Sequence, residues 1–149
     1  MVMTTKAVLE NSLREAMRSG DATRKRTLRM ALSAIRFAEI EKGVELDEPS
    51  VLAILQKEIK SRRESISDAQ QARRPDIAAD AEAEIGILEE YLPQPLTQAE
   101  LEQMVRAAIE ESGATSPREM GQVMKILMPR IQGRADGAQA SQIVRELLG

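Results

Sequence analysis

Residues 116–149 read SPREMGQVMKILMPRIQGRADGAQASQIVRELLG, and this stretch predicts two short helices joined by a glycine-bounded loop. Ser116 is a favourable N-cap, Pro117 suits the first helical position, and Glu119 is placed to complete a capping box. The first helix is expected to end or kink near Pro129, because proline cannot donate a hydrogen bond to the helix ladder. The stretch therefore predicts the end of a small helical C-terminal domain.

Both predicted helices are amphipathic, with apolar residues at helical spacing. These positions are Met120, Val123, Met124 and Leu127 in the first helix, and Ala140, Ile143, Val144 and Leu147 in the second. Met120, Met124 and Met128 recur once per turn, and we interpret them as a core seam rather than an adaptable docking face. The loop between the helices runs from Gly133 to Gly137, and Asp136 can cap the second helix.

A family resemblance lies in this stretch. The run EMGQVMKILMPRIQGRADG (119–137), followed by QIVRELL (142–148), resembles the end of the GatB/YqeY domain. That domain is the C-terminal tail of the B subunit of the tRNA-dependent amidotransferase, and it also occurs in stand-alone YqeY-like proteins. Three more stretches match in order: TLRMALSAIRFAEIEKG, LQKEIKSRRESI and EAEIGILEEYLPQPLT. The chain is therefore similar to a YqeY-like protein over nearly its whole length.

The rest of the chain predicts an all-α fold, since helix-forming residues dominate and no alternating strand pattern occurs. We expect four helices in an N-terminal domain (1–92), at about 5–18, 22–42, 47–72 and from 75 onward. A proline-rich linker (93–96) follows, because the residue before each proline is forced out of helical geometry. A capping box at Thr97 and Glu100 then opens a small three-helix domain (97–149) of the GatB/YqeY type.

The second predicted helix has apolar residues on two faces. Leu28, Ala31 and Ile35 make the main stripe, while Met30 and Phe37 lie almost opposite. We therefore expect this helix to be central and packed by two neighbouring helices. Met17 and Ile77 fall on the apolar stripes of the first and fourth helices and are expected to be buried.

Composition excludes several kinds of chemistry. The 149 residues contain no His and no Cys, so imidazole acid/base catalysis, thiol nucleophiles, disulfides and most zinc sites are ruled out. No phosphate-binding loop or nucleophile motif is present. We expect no catalytic residues, no metal and no cofactor. With no leader pattern and no membrane-length apolar run, we also expect a cytoplasmic protein without a membrane partner, monomeric by default.

The resemblance implies a function connected with tRNA. In the amidotransferase, the glutamine-dependent carbon–nitrogen ligase activity belongs to other parts of the assembly, so the label of that enzyme class is inherited through the shared domain. We predict a non-catalytic tRNA- or RNA-binding module. Two alternatives stay open: a helical protein-interaction module that docks on an aminoacyl-tRNA synthetase or an amidotransferase component, and an accessory factor in tRNA-dependent amidation.

The first candidate site is the loop from Gly133 to Gly137. Glycines allow backbone N–H groups to approach a phosphate, Arg134 adds a charge, and a helix N-terminus attracts anions. The alternative is a tight helix–helix turn that needs positive φ at glycine. The resemblance implies that Lys125, Arg130 and Arg134 lie in a stretch matching a tRNA-contacting tail. In the binding interpretation, Arg134→Ala weakens tRNA binding and leaves the fold unchanged.

The second candidate site is a basic stripe on the second helix, formed by Lys25, Arg29 and Arg36. It can follow a phosphate backbone, or it can be an ordinary solvated face, which is the commoner case. The net charge of −3 means that any nucleic acid must bind through local basic patches. Phe37 and Tyr91 are the only aromatic residues, so we expect contacts with phosphate and shape rather than reading of base sequence.

Overall fold

A computed structural model describes residues 3–149, and every regular element within that range is helical, which confirms the all-α prediction. The α-helices are α1 (Thr5–Ser19), α2 (Ala22–Lys42), α3 (Glu48–Gln71), α4 (Pro75–Glu89), α5 (Gln98–Ser112), α6 (Met120–Ile131) and α7 (Gly137–Leu148). A short 3₁₀ turn, Pro117–Glu119, precedes α6. Within the described range, no helix has the length and apolar character needed to cross a bilayer.

Side-chain caps set most helix starts. Asp21 accepts a hydrogen bond from the backbone N–H of Arg24, and equivalent caps open α1, α3 and α5. The predicted capping box is confirmed: Glu100 N donates to Thr97 Oγ1 and Thr97 N donates to Glu100 Oε1, both at 3.1 Å. These caps satisfy N–H groups that have no partner within the helix, so the local sequence determines where the helices begin.

The start of α6 differs from the prediction, whereas its end agrees with it. Ser116 makes no capping hydrogen bond, so the predicted capping box is wrong. Glu119 instead accepts from Thr115 N at 3.2 Å, and the helix begins one residue later, at Met120. Pro129 lies inside α6, which continues to Ile131. Proline removes one hydrogen bond of the helix and its ring crowds the carbonyl four residues earlier, and the helix ends two residues after it, near the predicted position.

The chain divides into two compact units, one ending at Leu92 and the other comprising Pro93–Gly149. The first unit contains α1–α4, with α3 packed chiefly on α4. Its buried cluster consists of Leu9, Leu28, Ala31, Ile35, Val51, Leu55, Ile59, Ile85 and Leu88. These side chains lie on the predicted apolar stripes, so helical periodicity identified most of this core correctly.

Four apolar side chains that were expected to be buried are exposed. Met17, Met30, Phe37 and Ile77 expose 51%, 50%, 64% and 42% of their surface. The second helix is central, as predicted, with α1, α3 and α4 as neighbours, but the side that carries Met30 and Phe37 is not covered. Its neighbours α1, α3 and α4 bury the face that carries Leu28, Ala31 and Ile35, and the opposite face is left in solvent.

The second unit contains α5, α6 and α7, each in contact with the other two. Its buried cluster consists of Leu101, Val105, Ala108, Ala114, Val123, Leu127, Ile131, Ala140, Ile143, Val144 and Leu148. Met120, Met124 and Met128 pack against this cluster, in agreement with the core interpretation of the methionine seam.

The segment predicted to be a linker is non-helical and belongs to the second unit. Leu96 packs against the core of that unit, and its N–H donates to the Arg134 carbonyl at 2.9 Å. Arg134 Nε in turn donates to the Gln94 carbonyl at 3.2 Å. The N-terminal segment of this small unit is thus joined to the loop that precedes α7. Independent folding of the two units stays a prediction.

Candidate nucleic-acid interface

Both glycines of the loop have structural roles. Gly133 is buried and has φ 85°, a left-handed conformation that favours glycine. Gly137 is the first residue of α7, and a Cβ placed there would lie 3.3 Å from Met128 Cε. Gly133 is therefore favoured by its backbone geometry, and Gly137 packs closely against the flexible end of Met128; neither feature requires a ligand.

The N-terminus of α7 already holds a negative charge. Asp136 Oδ1 accepts from Ala138 N at 3.1 Å, so the carboxylate caps the helix. A carboxylate at this position satisfies a free N–H and interacts favourably with the helix dipole. It also repels a phosphate that approaches the same N–H groups. This arrangement favours the turn interpretation of the loop over an anion-binding one.

Two of the three predicted cations in this region have partners within the second unit. Arg130 forms a two-pronged ion pair with Glu111 of α5, with Nη2 at 2.9 Å from Oε1. The hydrogen bonds between the two side chains lower the pKa of Glu111 and raise the pKa of Arg130. Arg134 donates to the Gln94 carbonyl, as described above. Lys125 is exposed and makes no ion pair with any described residue.

The cations of the α2 stripe are different. Lys25, Arg29 and Arg36 have no carboxylate within ion-pair distance among residues 3–149, and Arg29 and Arg36 are exposed. Their neighbours are engaged: Arg24 contacts Glu90 at 2.8 Å, and Arg26 contacts Glu84 at 3.4 Å. Both contacts are made with α4 or the residue that ends it, whereas the three cations of the stripe are left available to an outside anion.

The N-terminal half of this stripe borders a concave surface. Its volume is about 290 Å³, and it is lined by Ala22, Lys25, Arg26, Arg29 and Met30. The surface that faces this concavity is almost wholly apolar, because the side chains line it with their aliphatic parts, and Arg26 is already paired with Glu84. Among the predicted site residues, the structure brings Lys25 and Arg29 together here, whereas the cations of the second unit belong to a separate body.

Sequence reasoning did not identify Arg62 as a buried charge. Its side chain is only 8% exposed; Nε lies 3.0 Å from Glu84 Oε2 and Nη1 lies 3.2 Å from Glu58 Oε1. The signal was present, because Arg62 follows Leu55 and Ile59 at helical spacing and so falls on the buried face of α3. Since Glu84 pairs with two arginines, it is engaged within the fold.

In the described part of the chain, no acidic cluster is placed to hold a metal ion.

These features define an all-helical protein with a row of unpaired cations on one helix. A family model described as "Yqey-like protein" matches residues 6–148, and the chain belongs to that family. The predicted family is therefore confirmed.

The chain is also similar to curated proteins named "Altered inheritance of mitochondria protein 41, mitochondrial". With the Pyrenophora tritici-repentis protein it shares 30% identity over 147 residues, covering 95% of this chain and 79% of that one. It is 36% identical to the Vanderwaltozyma polyspora protein over 85 residues, or 56% of this chain, and 33% identical to the Saccharomyces cerevisiae protein over 97 residues, or 64% of this chain. These two matches span 46% and 52% of the yeast proteins. The names of these relatives describe mitochondrial proteins, and a cytoplasmic location for this chain stays a prediction.

Proposed function

We propose that this chain is a non-catalytic RNA-binding protein that contacts the phosphates of a folded RNA through Lys25, Arg29 and Arg36 on α2. The observation that carries the proposal is that these cations lack carboxylate partners in a chain with 24 acidic and 21 basic residues. Where acidic groups are in excess, cations that stay unpaired on one helix face create a local positive surface. Such a surface attracts a polyanion even though the net charge is negative.

The geometry of the stripe suits a phosphate backbone. With a rise of about 1.5 Å per residue, Lys25 and Arg36 lie about 16 Å apart along the helix axis, with Arg29 between them. A row of this length can contact several phosphates of one strand. Long flexible side chains at such spacing contribute charge rather than base recognition, so we expect weak, salt-sensitive binding, with dissociation constants of micromolar order or weaker.

Transfer RNA is the first candidate for this RNA, because the second unit resembles the tail of the tRNA-dependent amidotransferase. Its candidate contacts are Lys125, Arg130, Arg134 and the glycines Gly133 and Gly137. Lys125 is the strongest of these, since Arg130 and Arg134 already have partners within the fold. Glycine-dependent phosphate binding at the loop is disfavoured by the Asp136 cap.

The second candidate function is a helical protein-interaction module. It is favoured by the large apolar residues that α2 and its C-terminal end leave in solvent, Phe37, Ile40 and Val44. In that case the partner is an aminoacyl-tRNA synthetase or an amidotransferase component. The chain then acts as an accessory factor in amidation of charged tRNA, with the carbon–nitrogen ligase chemistry supplied by the partner.

The test compares two triple variants for tRNA binding by fluorescence anisotropy between 50 and 200 mM salt, the range over which phosphate contacts change affinity by orders of magnitude. One variant removes Lys25, Arg29 and Arg36, each replaced by Ala. The other is a charge-matched control that removes Lys57, Lys60 and Arg63, all exposed on α3. We expect the first variant to reduce the magnitude of the slope of log K against log salt concentration by up to about 2–3. The control is expected to leave this slope nearly unchanged. Equal effects of both variants, or no binding by the natural chain, would contradict the proposal.

A further inference from the structure

The solvent face of α2 changes character along its length. Phe37 and Ile40 in the helix and Val44 just beyond it expose 64%, 72% and 62% of their surface. The spacing of three residues places Phe37 and Ile40 on one side of the helix, and Val44 follows Gly43, at which the helix ends. Phe37 is one of the two aromatic residues of the chain, and the other, Tyr91, packs against the core of the first unit and accepts from Arg24. The one aromatic ring free to meet a ligand therefore lies on this face.

Unpaired cations line one edge of the same face. At 100° per residue, Arg29 and Arg36 fall on one edge of the stripe, within about 100° of Phe37 around the helix. Neither arginine has a carboxylate partner among the described residues. An exposed ring beside free guanidinium groups is the combination that proteins use to hold unpaired nucleotides, with the base on the ring and the phosphates on the cations.

We infer that Phe37 is a stacking platform for an unpaired base of RNA, with Arg29 and Arg36 holding the adjacent phosphates. The inference rests on the proposed function and specifies its ligand, an RNA with a single-stranded segment. Stacking on a ring tolerates any base, because every base has a π-face. The platform is therefore consistent with the expectation that this chain does not read base sequence.

A protein helix suits this face less well. A helix-in-groove contact needs a long apolar seam, and here the seam is interrupted at Ser33. Nearer the N-terminus of α2, the sulfur atom of Met30 lies 3.7 Å from Nη2 of the buried Arg62, so Met30 already has a contact within the fold. What remains is the short apolar segment from Phe37 to Val44. Its surface is small compared with the roughly 1,000 Å² that a specific protein interface buries. The free cations on the edge favour a polyanion instead.

The absence of tryptophan from the chain makes a direct test possible. Phe37→Trp introduces a single indole at the platform, and a base stacked on it quenches its emission. We expect quenching on titration with a short unstructured oligoadenylate and little quenching with duplex RNA of the same length. Val44→Trp, at an exposed position just beyond the end of α2 and seven residues along the chain, is the matched control and is expected to show much less quenching.

An affinity measurement supports the spectroscopic one. Phe37→Leu keeps an apolar side chain but removes the ring, and we expect about tenfold weaker binding of the oligoadenylate. Duplex binding and the salt dependence are expected to stay as in the natural chain, because the arginines are retained. Removing Lys25, Arg29 and Arg36 is expected to weaken binding of both RNAs.

The outcomes separate the platform from the proposed function. If duplex and single strand bind to the natural chain but Phe37→Leu changes neither and Phe37→Trp is not quenched, the platform is overturned while phosphate binding stands. If the natural chain binds neither RNA, both are overturned. If Phe37→Leu instead abolishes a concentration-dependent dimer seen by sedimentation, the face belongs to a second copy of the chain, and the platform is again overturned.

Discussion

At the scale of single residues, the first unit contains one buried cation whose charge is balanced inside the core. Arg62 lies between Glu58 and Glu84, and its Nη1 also donates to the Glu58 carbonyl at 3.0 Å. Removing one partner of a buried ion pair is costly because the other charge loses its compensation. The neighbouring Arg63 is exposed and has no such role.

We expect Arg62→Ala to lower the free energy of unfolding by about 3 kcal/mol, at the lower end of the range for broken buried pairs because Arg26 still contacts Glu84. Arg63→Ala removes an arginine one position later in the chain. It is expected to change the free energy of unfolding by less than about 0.5 kcal/mol. Urea unfolding followed by circular dichroism measures both. Similar losses in the two variants would show that Arg62 contributes no more than a surface arginine.

Glu39 makes stability depend on pH. Its carboxylate accepts from Leu46 N at 2.9 Å and from Lys6 Nζ at 2.9 Å, and these contacts lower its pKa, the backbone hydrogen bond most strongly. A carboxyl group whose pKa is lower in the folded state stabilises the fold above its unfolded-state pKa. That contribution is lost as the pH falls through the folded-state pKa.

We therefore expect Glu39→Gln to lower the melting temperature at pH 7, because Glu39 is ionised at that pH in the natural chain and glutamine carries no charge. The difference is expected to shrink as the pH falls below the ordinary range of glutamate, because Glu39 is then protonated and resembles glutamine. Glu41→Gln, at an exposed position two residues on, is the control. A difference that stays constant from pH 7 to the acid end would mean that charge has no part in the effect.

At the scale of elements, the connection between α6 and α7 has two interpretations that a single substitution separates. Arg134 Nε donates to the Gln94 carbonyl, which lies in the segment leading into α5. Loss of one hydrogen bond of this kind costs about 1 kcal/mol. A purely phosphate-binding Arg134 would instead leave stability unchanged and weaken tRNA binding.

We expect Arg134→Ala to lower the stability of the second unit by about 1 kcal/mol. Lys125→Ala, which removes a cation without an ion pair, is expected to leave stability within about 0.5 kcal/mol of the natural chain. Thermal melts and tRNA titrations of both variants give the answer. Unchanged stability with weaker tRNA binding in Arg134→Ala would restore the phosphate interpretation. Lower stability with unchanged affinity would make the loop an ordinary turn and leave α2 as the contact surface.

At the scale of the whole molecule, each of the two units has its own buried cluster. We expect residues 93–149 expressed alone to be helical and to unfold cooperatively, because the core of α5, α6 and α7 is complete within them. A fragment that starts at Thr97 lacks the Leu96 packing and the hydrogen bonds to Arg134, and we expect it to be about 1–2 kcal/mol less stable. Circular dichroism and urea unfolding of the two fragments test this, and an unstructured 93–149 fragment would contradict it.

The sequence by itself determined the helices, most of their caps and most of the buried stripes, because caps and helical periodicity are local properties. It also pointed to the family through matching stretches such as the one ending at Gly137. Its errors at Met17, Met30, Phe37 and Ile77 share a cause, since periodicity says that a face is apolar but not whether another helix covers it.

Only the tertiary structure decided how the charges are used. Whether a cation is engaged depends on which carboxylates or carbonyl groups the fold brings within ion-pair or hydrogen-bond distance, and no spacing along the chain contains that information. Arg130 and Arg134 are engaged because Glu111 and the Gln94 carbonyl lie within reach. Arg29 and Arg36 are open because α1, α3 and α4 pack on the other face of α2. The same packing leaves Phe37 exposed beside them, and this places the candidate interface on the first unit.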